Sequence, residues 1–160
     1  MPEDEEKINK KDRLTDDEIV DIVKEATKIG INKIRITGGD PLVRKGIYGL
    51  IERISKVKGI KEITLSTNGT LLIGKVKKLK EAGVARVNFS LDTLDKEKFK
   101  VITKSKMQFD YDVLIEELIK ENMLPIKINA VLLRGINDME MDQFIALADK
   151  YDISIRFIEL

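Results

Sequence analysis

Neither cysteine nor histidine occurs in these 160 residues. Without cysteine the chain forms no disulfide, offers no thiolate nucleophile and holds no Cys-ligated iron–sulfur cluster. Without histidine it lacks the commonest general base near neutral pH and the commonest metal ligand. No excess of one charge is present either: 29 basic residues against 28 acidic ones leave +1. That balance lacks the basic footprint of a nucleic-acid binder. No apolar run approaches the roughly 20 residues that span a bilayer. Residues Met1 to Arg13 are charged and carry no apolar stretch of the secretory kind, so a cytoplasmic location is expected. Chemistry therefore falls to carboxylates, lysines, tyrosines, hydroxyls or a borrowed cofactor.

What is present fits one globular unit. A hydrophobic content of 42% over this length suffices for a real core. Residues 1–13 read as a charged lead-in and 14–160 as a single domain. Thr15-Asp16-Asp17-Glu18 has capping-box spacing, and Ile19, Ile22, Val23, Ala26 and Ile29 follow at helical intervals up to Gly30. Further helices are predicted over about 46–57, after the Asn68-Gly69 turn up to Ala82, and over about 95–103, 110–122 and 139–150. Strands are predicted over about 33–37, 62–67, 86–91, 126–133 and 153–158. In the Lys-rich stretch Lys75 to Lys80, Val76 and Leu79 sit three apart, so it reads as the solvated face of an amphipathic helix. Met107, Met123, Met139 and Met141 read as packing or surface residues.

Alternating strands and helices imply parallel pairing through right-handed crossovers. A parallel sheet covered on both faces reads as nearly continuous Val, Ile and Leu. Here every strand alternates instead. One face is apolar, and the other carries Arg35, Thr37, Ser66, Asn68, Asn88, Ser90, Asp92, Lys127, Asn129 and Arg156. Helices cover only the apolar face, so the polar face lines a lumen or wide groove suited to a polar, anionic ligand. The expected fold class is α/β, an open, partial parallel β/α barrel of five strands, with its site at the C-terminal strand ends.

Those ends carry the candidate motifs. Thr37-Gly38-Gly39-Asp40-Pro41 follows a strand directly. Its glycines let backbone approach a ligand, and Asp40 can receive an ammonium group; an ordinary strand-to-helix turn has the same composition. Asn68-Gly69 reads as a tight turn. Arg35, Lys127 and Arg156 are strand-borne cations, costly if buried alone. Either they pair internally with Asp40, Asp92 and Glu159, or they face a phosphate-bearing ligand. Arg44-Lys45 either extends that positive rim or is solvated.

Ile34-Arg35-Ile36-Thr37-Gly38-Gly39-Asp40-Pro41-Leu42 resembles the IRITGGEPL segment of the GTP 3′,8-cyclases, the radical S-adenosylmethionine enzymes of molybdenum cofactor biosynthesis. Leu65-Ser66-Thr67-Asn68-Gly69, Arg86 to Asp92, Lys127 to Val131, Arg134-Gly135-Ile136-Asn137-Asp138 and Ile155 to Glu159 continue the likeness from Leu14 onward. The resemblance implies that Gly39 and Ser90 contact S-adenosylmethionine and that the Gly38–Asp40 turn receives its amino group. It further implies that Arg35, Ser66 and Lys127 hold GTP, with Arg156 beside the nucleotide. The family has Thr at Ser66, which keeps the hydroxyl, and Glu at Asp40, one methylene longer.

In that family a CxxxCxxC loop holds a 4Fe–4S cluster, and a C-terminal region carries three further cysteines for a second cluster. Met1-Pro2 resembles the residues that follow the first cluster loop, so the chain is expected to be a central piece lacking the first strand and both cluster-binding regions. Such a piece is not expected to perform the cyclase reaction alone. Two other readings remain open on the residues. One is a non-enzymatic nucleotide-binding or partner module. The other is a cluster-free barrel enzyme using Asp92 or Lys127 as acid or base. An open edge at 33–37 leads to an expectation of self-association.

Overall fold

The computed structural model describes residues 13–103 and 109–159. Helix α1 (Asp16–Lys28) leads into β1 (Lys33–Ile36), α2 (Ile47–Ser55), β2 (Glu62–Thr67), α3 (Val76–Glu81) and β3 (Arg86–Ser90). Helices α4 (Lys96–Thr103) and α5 (Tyr111–Lys120) precede β4 (Lys127–Leu132), and α6 (Met141–Tyr151) precedes β5 (Ser154–Glu159). The five strands lie side by side in chain order, each parallel to the next. Strand order never reverses. Right-handed crossovers that always step the same way place their helices on the same face, which leaves the opposite face bare. This is the expected open parallel β/α architecture; β1 and β5 stand at the two edges and the sheet does not close.

The local signals act as anticipated at the first helix. Thr15 Oγ1 accepts from the Glu18 amide at 3.2 Å, and Glu18 Oε2 accepts from the Thr15 amide at 2.7 Å, which completes the capping box. The core lies between the helices and the apolar side of the sheet. Leu65, Val87, Phe89, Ile128 and Ala130 are fully buried beneath Ile51, Leu79, Leu114, Leu118 and Phe144. Each of the larger side chains stabilises the fold by roughly 1.5–3 kcal/mol relative to exposure. Val76 and Leu79 are the buried face of α3, while its lysines are exposed. Met123 is buried and Met139 and Met141 are exposed; Met107 lies outside the described residues. No helix among the described residues is long and apolar enough to cross a membrane.

Three boundaries differ from the sequence expectation. The helix expected after the Asn68-Gly69 turn begins only at Val76, because Gly69 (φ +79°) and Gly74 (φ +74°) both turn the backbone ahead of it. Gly69 is also a close approach, since a Cβ there would stand 2.8 Å from Leu114 Cδ2 and 2.9 Å from Phe109 Cζ. The helix expected over 139–150 divides into a 3₁₀ turn (Asp138–Glu140) and α6. A further 3₁₀ turn, Pro41–Val43, follows β1, with Asp40 as its N-cap.

Along the β1 edge a groove of about 370 Å³ is lined by Ile34, Ile36, Val23, Ile47 and Ile54. Ile22 and Ile29 on the adjoining helix are 55% and 81% exposed. Unpaired strand edges recruit other strands. Sedimentation velocity across a concentration series is expected to show dimers or larger species growing with concentration. A monodisperse monomer at high concentration contradicts that expectation.

Candidate functional site

The strand register stacks the bare face into layers. Lys33 lies level with Glu62, and Arg35 with Thr64 and Arg86. Above them run Ser66, Asn88, Lys127 and Ser154, and then Ser90, Asn129 and Arg156. Successive layers are about 6.6 Å apart along a strand, and strands about 4.8 Å apart. Lys127 and Arg156 are one strand and one layer apart, a Cα separation of about 8 Å. Arg35 stands three strands from Lys127, on the opposite flank of the face. The register thus joins Lys127 with Arg156, and Ser90 with Asn129, and leaves Arg35 to a different part of any ligand.

One group of charges on this face is paired and the others are not. Glu62 accepts from the guanidinium of Arg86 and from Lys33 Nζ at 3.2 Å. The Arg86 and Lys33 hydrogen bonds hold its carboxyl below the ordinary range. This trio was missed in the sequence reading. Extending the alternation by one residue below Thr64 and Asn88 finds it. The side chains of Arg35, Lys127 and Arg156 make no hydrogen bond or ion pair among the described residues. The internal pairs considered for them do not form. Asp40 serves neighbouring residues, and Asp92 Oδ1 accepts from the Val131 amide at 2.9 Å. Arg44 turns away from the face to Asp16 at 2.6 Å, so it adds nothing to a positive rim.

Asp40 fastens the Gly38-Gly39 turn to the end of β2. Its Oδ1 accepts from the Leu42 amide at 2.9 Å; its Oδ2 accepts from Thr67 Oγ1 at 2.6 Å and from the Asn68 amide at 3.0 Å. Three donors already occupy the carboxylate, which has about four acceptor sites. An ammonium group at this turn therefore meets chiefly backbone carbonyls. Gly38 and Gly39 are exposed, and nothing lies within 4 Å of where a Cβ would stand on either. Ser90 is exposed at the end of β3, and Ser66 is half-buried one layer below it. A separate groove of about 690 Å³ opens at the ends of β4 and β5 between Leu132, Arg134, Asp138, Phe157 and Glu159. The sequence reading gave no sign of that groove.

A family model of the Radical SAM superfamily matches residues 2–148. The chain belongs to this superfamily. It is 47% identical over 149 residues to a GTP 3′,8-cyclase of Peptoclostridium acidaminophilum, covering 93% of this chain and 46% of that protein. It is 49% identical over 144 residues to a GTP 3′,8-cyclase of Clostridium botulinum strain Hall, covering 90% and 45%. The chain thus spans about half the length of the curated relatives it matches. Among solved structures, it superposes on anSMEcpe with bound AdoMet at a TM-score of 0.67 and 19% identity, covering 91% of this chain and 43% of that one. On HydG, a maturase of the [FeFe]-hydrogenase, the TM-score is 0.65 at 18% identity, covering 92% and 36%. These two likenesses establish the fold alone.

Radical SAM proteins work with S-adenosylmethionine and a 4Fe–4S cluster. The donor chemistry of this chain does not fit the cluster. It contains no thiolate or imidazole, and no carboxylates among the described residues gather into a metal-holding group. The uncovered glycine turn and the Ser90 hydroxyl do fit a polar adenosyl ligand.

Behind the β3 end lies a buried carboxylate that the sequence did not single out. Glu140, 4% exposed, accepts from Thr93 Oγ1 at 2.8 and 2.9 Å, from the Leu94 amide at 2.8 Å and from Lys98 Nζ at 2.8 Å. Burial pushes its carboxyl up, but the hydrogen bonds from Lys98, Leu94 and Thr93 outweigh that and hold it below its ordinary 4.5. A carboxyl lowered on folding stabilises the fold above its unfolded value. That stabilisation is lost as pH falls through the folded value. Glu140→Gln is therefore expected to cost about 1–3 kcal/mol at pH 7. It should also make the melting temperature fall less steeply than the parent's below pH 4.5. Parallel melting curves against pH for the two proteins contradict this assignment.

Proposed function

We propose that the bare face of this sheet binds GTP beside S-adenosylmethionine, as the central part of a GTP 3′,8-cyclase of molybdenum cofactor biosynthesis. The observation that carries the reading is three cations, Arg35, Lys127 and Arg156, at bare-face positions of the sheet with no side-chain partner among the described residues. Uncompensated charge of one sign on an open polar face suits a polyanion. Lys127 and Arg156 are close enough to grip one phosphate cluster, with Arg supplying bidentate geometry and Lys a point charge. Arg35 then meets another part of the nucleotide, and Ser66 adds a hydroxyl in the Lys127 layer. The Gly38–Asp40 turn receives the amino group of S-adenosylmethionine through its carbonyls, with Ser90 at the far side of the mouth. The identities to GTP 3′,8-cyclases over nine-tenths of the chain support this choice of nucleotide.

Reductive cleavage of S-adenosylmethionine needs a thiolate-held cluster that no residue of this chain supplies. What these residues contribute is binding, orientation and charge.

Calorimetric titration with GTP, guanosine, ATP and ribose 5-phosphate tests the reading. GTP is expected to bind tightest and guanosine at least tenfold weaker. Lys127→Ala and Arg35→Ala should each weaken GTP about 10- to 100-fold, the worth of a hydrogen bond to a charged group. Equal affinities for GTP and guanosine, or unchanged GTP affinity in both variants, contradict it. Preference for the sugar phosphate would favour an unrelated phosphate-binding barrel.

A further inference from the structure

The segment Arg134-Gly135-Ile136-Asn137-Asp138 takes no part in the ligand layers described above, yet it contains a fully buried amide. Asn137 is 0% exposed. Its Nδ2 donates to the Asp92 carbonyl at 2.5 Å and to the Val131 carbonyl at 2.7 Å. Its Oδ1 accepts from the Leu133 amide at 2.7 Å. Both donors of the side chain are used, and each goes to a different strand end. The backbone register of β3 with β4 stops at Ser90 and Asn129. One residue on, Leu91 donates its amide to the Asn129 carbonyl at 2.9 Å. Beyond that point, side chains carry the bonding: Asp92 Oδ1 takes the Val131 amide, and Asn137 spans the carbonyls of Asp92 and Val131. Glu140 ties the same segment to Thr93 and Leu94, so the loop is fixed on both sides of the junction.

A buried Asn that satisfies backbone groups is often only structural. What singles this one out is its address. The brace sits one layer, about 7 Å, above Ser90, Asn129 and Arg156. It crosses from β3, whose C-terminal end carries Ser90, to β4, which carries Lys127. Parallel β/α sheets bind their ligands at such ends, where the ladder can splay for want of further backbone bonds.

The geometry points to Asn137 as a positioning residue, resting on the ligand reading above. It sets the separation of β3 and β4 at their C-terminal ends. In doing so it holds Ser90, at the end of β3, at the spacing the adenosyl ligand meets, whereas Arg156 is tied to the strand of Lys127 by a β4–β5 ladder that runs unbroken to Leu132 and Glu159. The Ser66, Asn88 and Lys127 layer lies deeper, within the intact backbone ladder, and depends on the brace less.

The experiment uses the 160-residue chain and its Asn137→Ala variant. Asp92→Ala, which removes one of the four bonds of the brace, serves where the first variant does not fold. Calorimetry measures S-adenosylmethionine and GTP separately, and amide hydrogen exchange is followed in the ligand-free proteins. The expected result is at least a tenfold loss of S-adenosylmethionine affinity against a loss of about threefold or less for GTP. Exchange at Leu91 and Val131 should speed at least tenfold, while Leu65 and Val87 keep the parent's rate. Equal loss of both ligands, or uniform acceleration of exchange across the sheet, overturns the proposal and leaves Asn137 a general stabiliser. If the unaltered chain binds neither ligand, the nucleotide reading fails, and the exchange ratio alone decides whether Asn137 braces the strand ends.

Discussion

Five parallel strands stepping in one direction leave a sheet with helices on one face only, and the bare face must then account for its own polar groups. Charge buried in a fold costs several kcal/mol per ion unless it is paired. The protein meets that constraint in two ways along the same surface. At the bottom, Lys33, Glu62 and Arg86 satisfy one another. Arg35, level with Arg86, and Lys127 and Arg156 above it have no side-chain partner among the described residues, and exposure of the open face keeps them solvated. The first arrangement ties β1, β2 and β3 together; the second leaves positive charge unpaired, as the proposed anion site requires.

The strand ends supply the other half of the site, and their order comes from side chains reaching across long intervals of sequence. Asp40 ties the glycine turn to the end of β2 across 27 residues. Glu140 reaches Thr93 across 47 residues, and Asn137 reaches Asp92 across 45. Each bond joins a loop to a neighbouring strand end, so the mouth of the sheet is framed by three buried or half-buried polar clusters. Such clusters are worth most when every group is satisfied, and no buried side-chain nitrogen or oxygen lacks a partner among the described residues.

Much of this was legible in the sequence, for reasons that are local. The period-2 alternation of residues such as Ile63, Leu65, Val87 and Phe89 against Thr64, Ser66, Asn88 and Ser90 fixed both the strands and the exposed face. The Thr15 to Glu18 capping box set the start of α1, and the Gly38-Gly39-Asp40-Pro41 turn pointed to the superfamily. What stayed hidden depends on contacts that no window of sequence contains. Asp40 reads as a free ligand carboxylate until Thr67 and Asn68 are brought to it. Glu140 reads as one of many helix-face acids until Thr93 and Lys98 close over it. Asn137 reads as a loop residue until both strand ends meet its amide.

The central claim, that the unpaired cations of the bare face mark an anion site, is tested most directly by following backbone amide resonances during titration with GTP. The account predicts saturable shifts clustered at Arg35, Ser66, Asn88, Lys127 and Arg156, with the helices and the groove at Leu132 and Phe157 undisturbed. Shifts confined to that groove or to the outer helices, with the bare face silent, would contradict it.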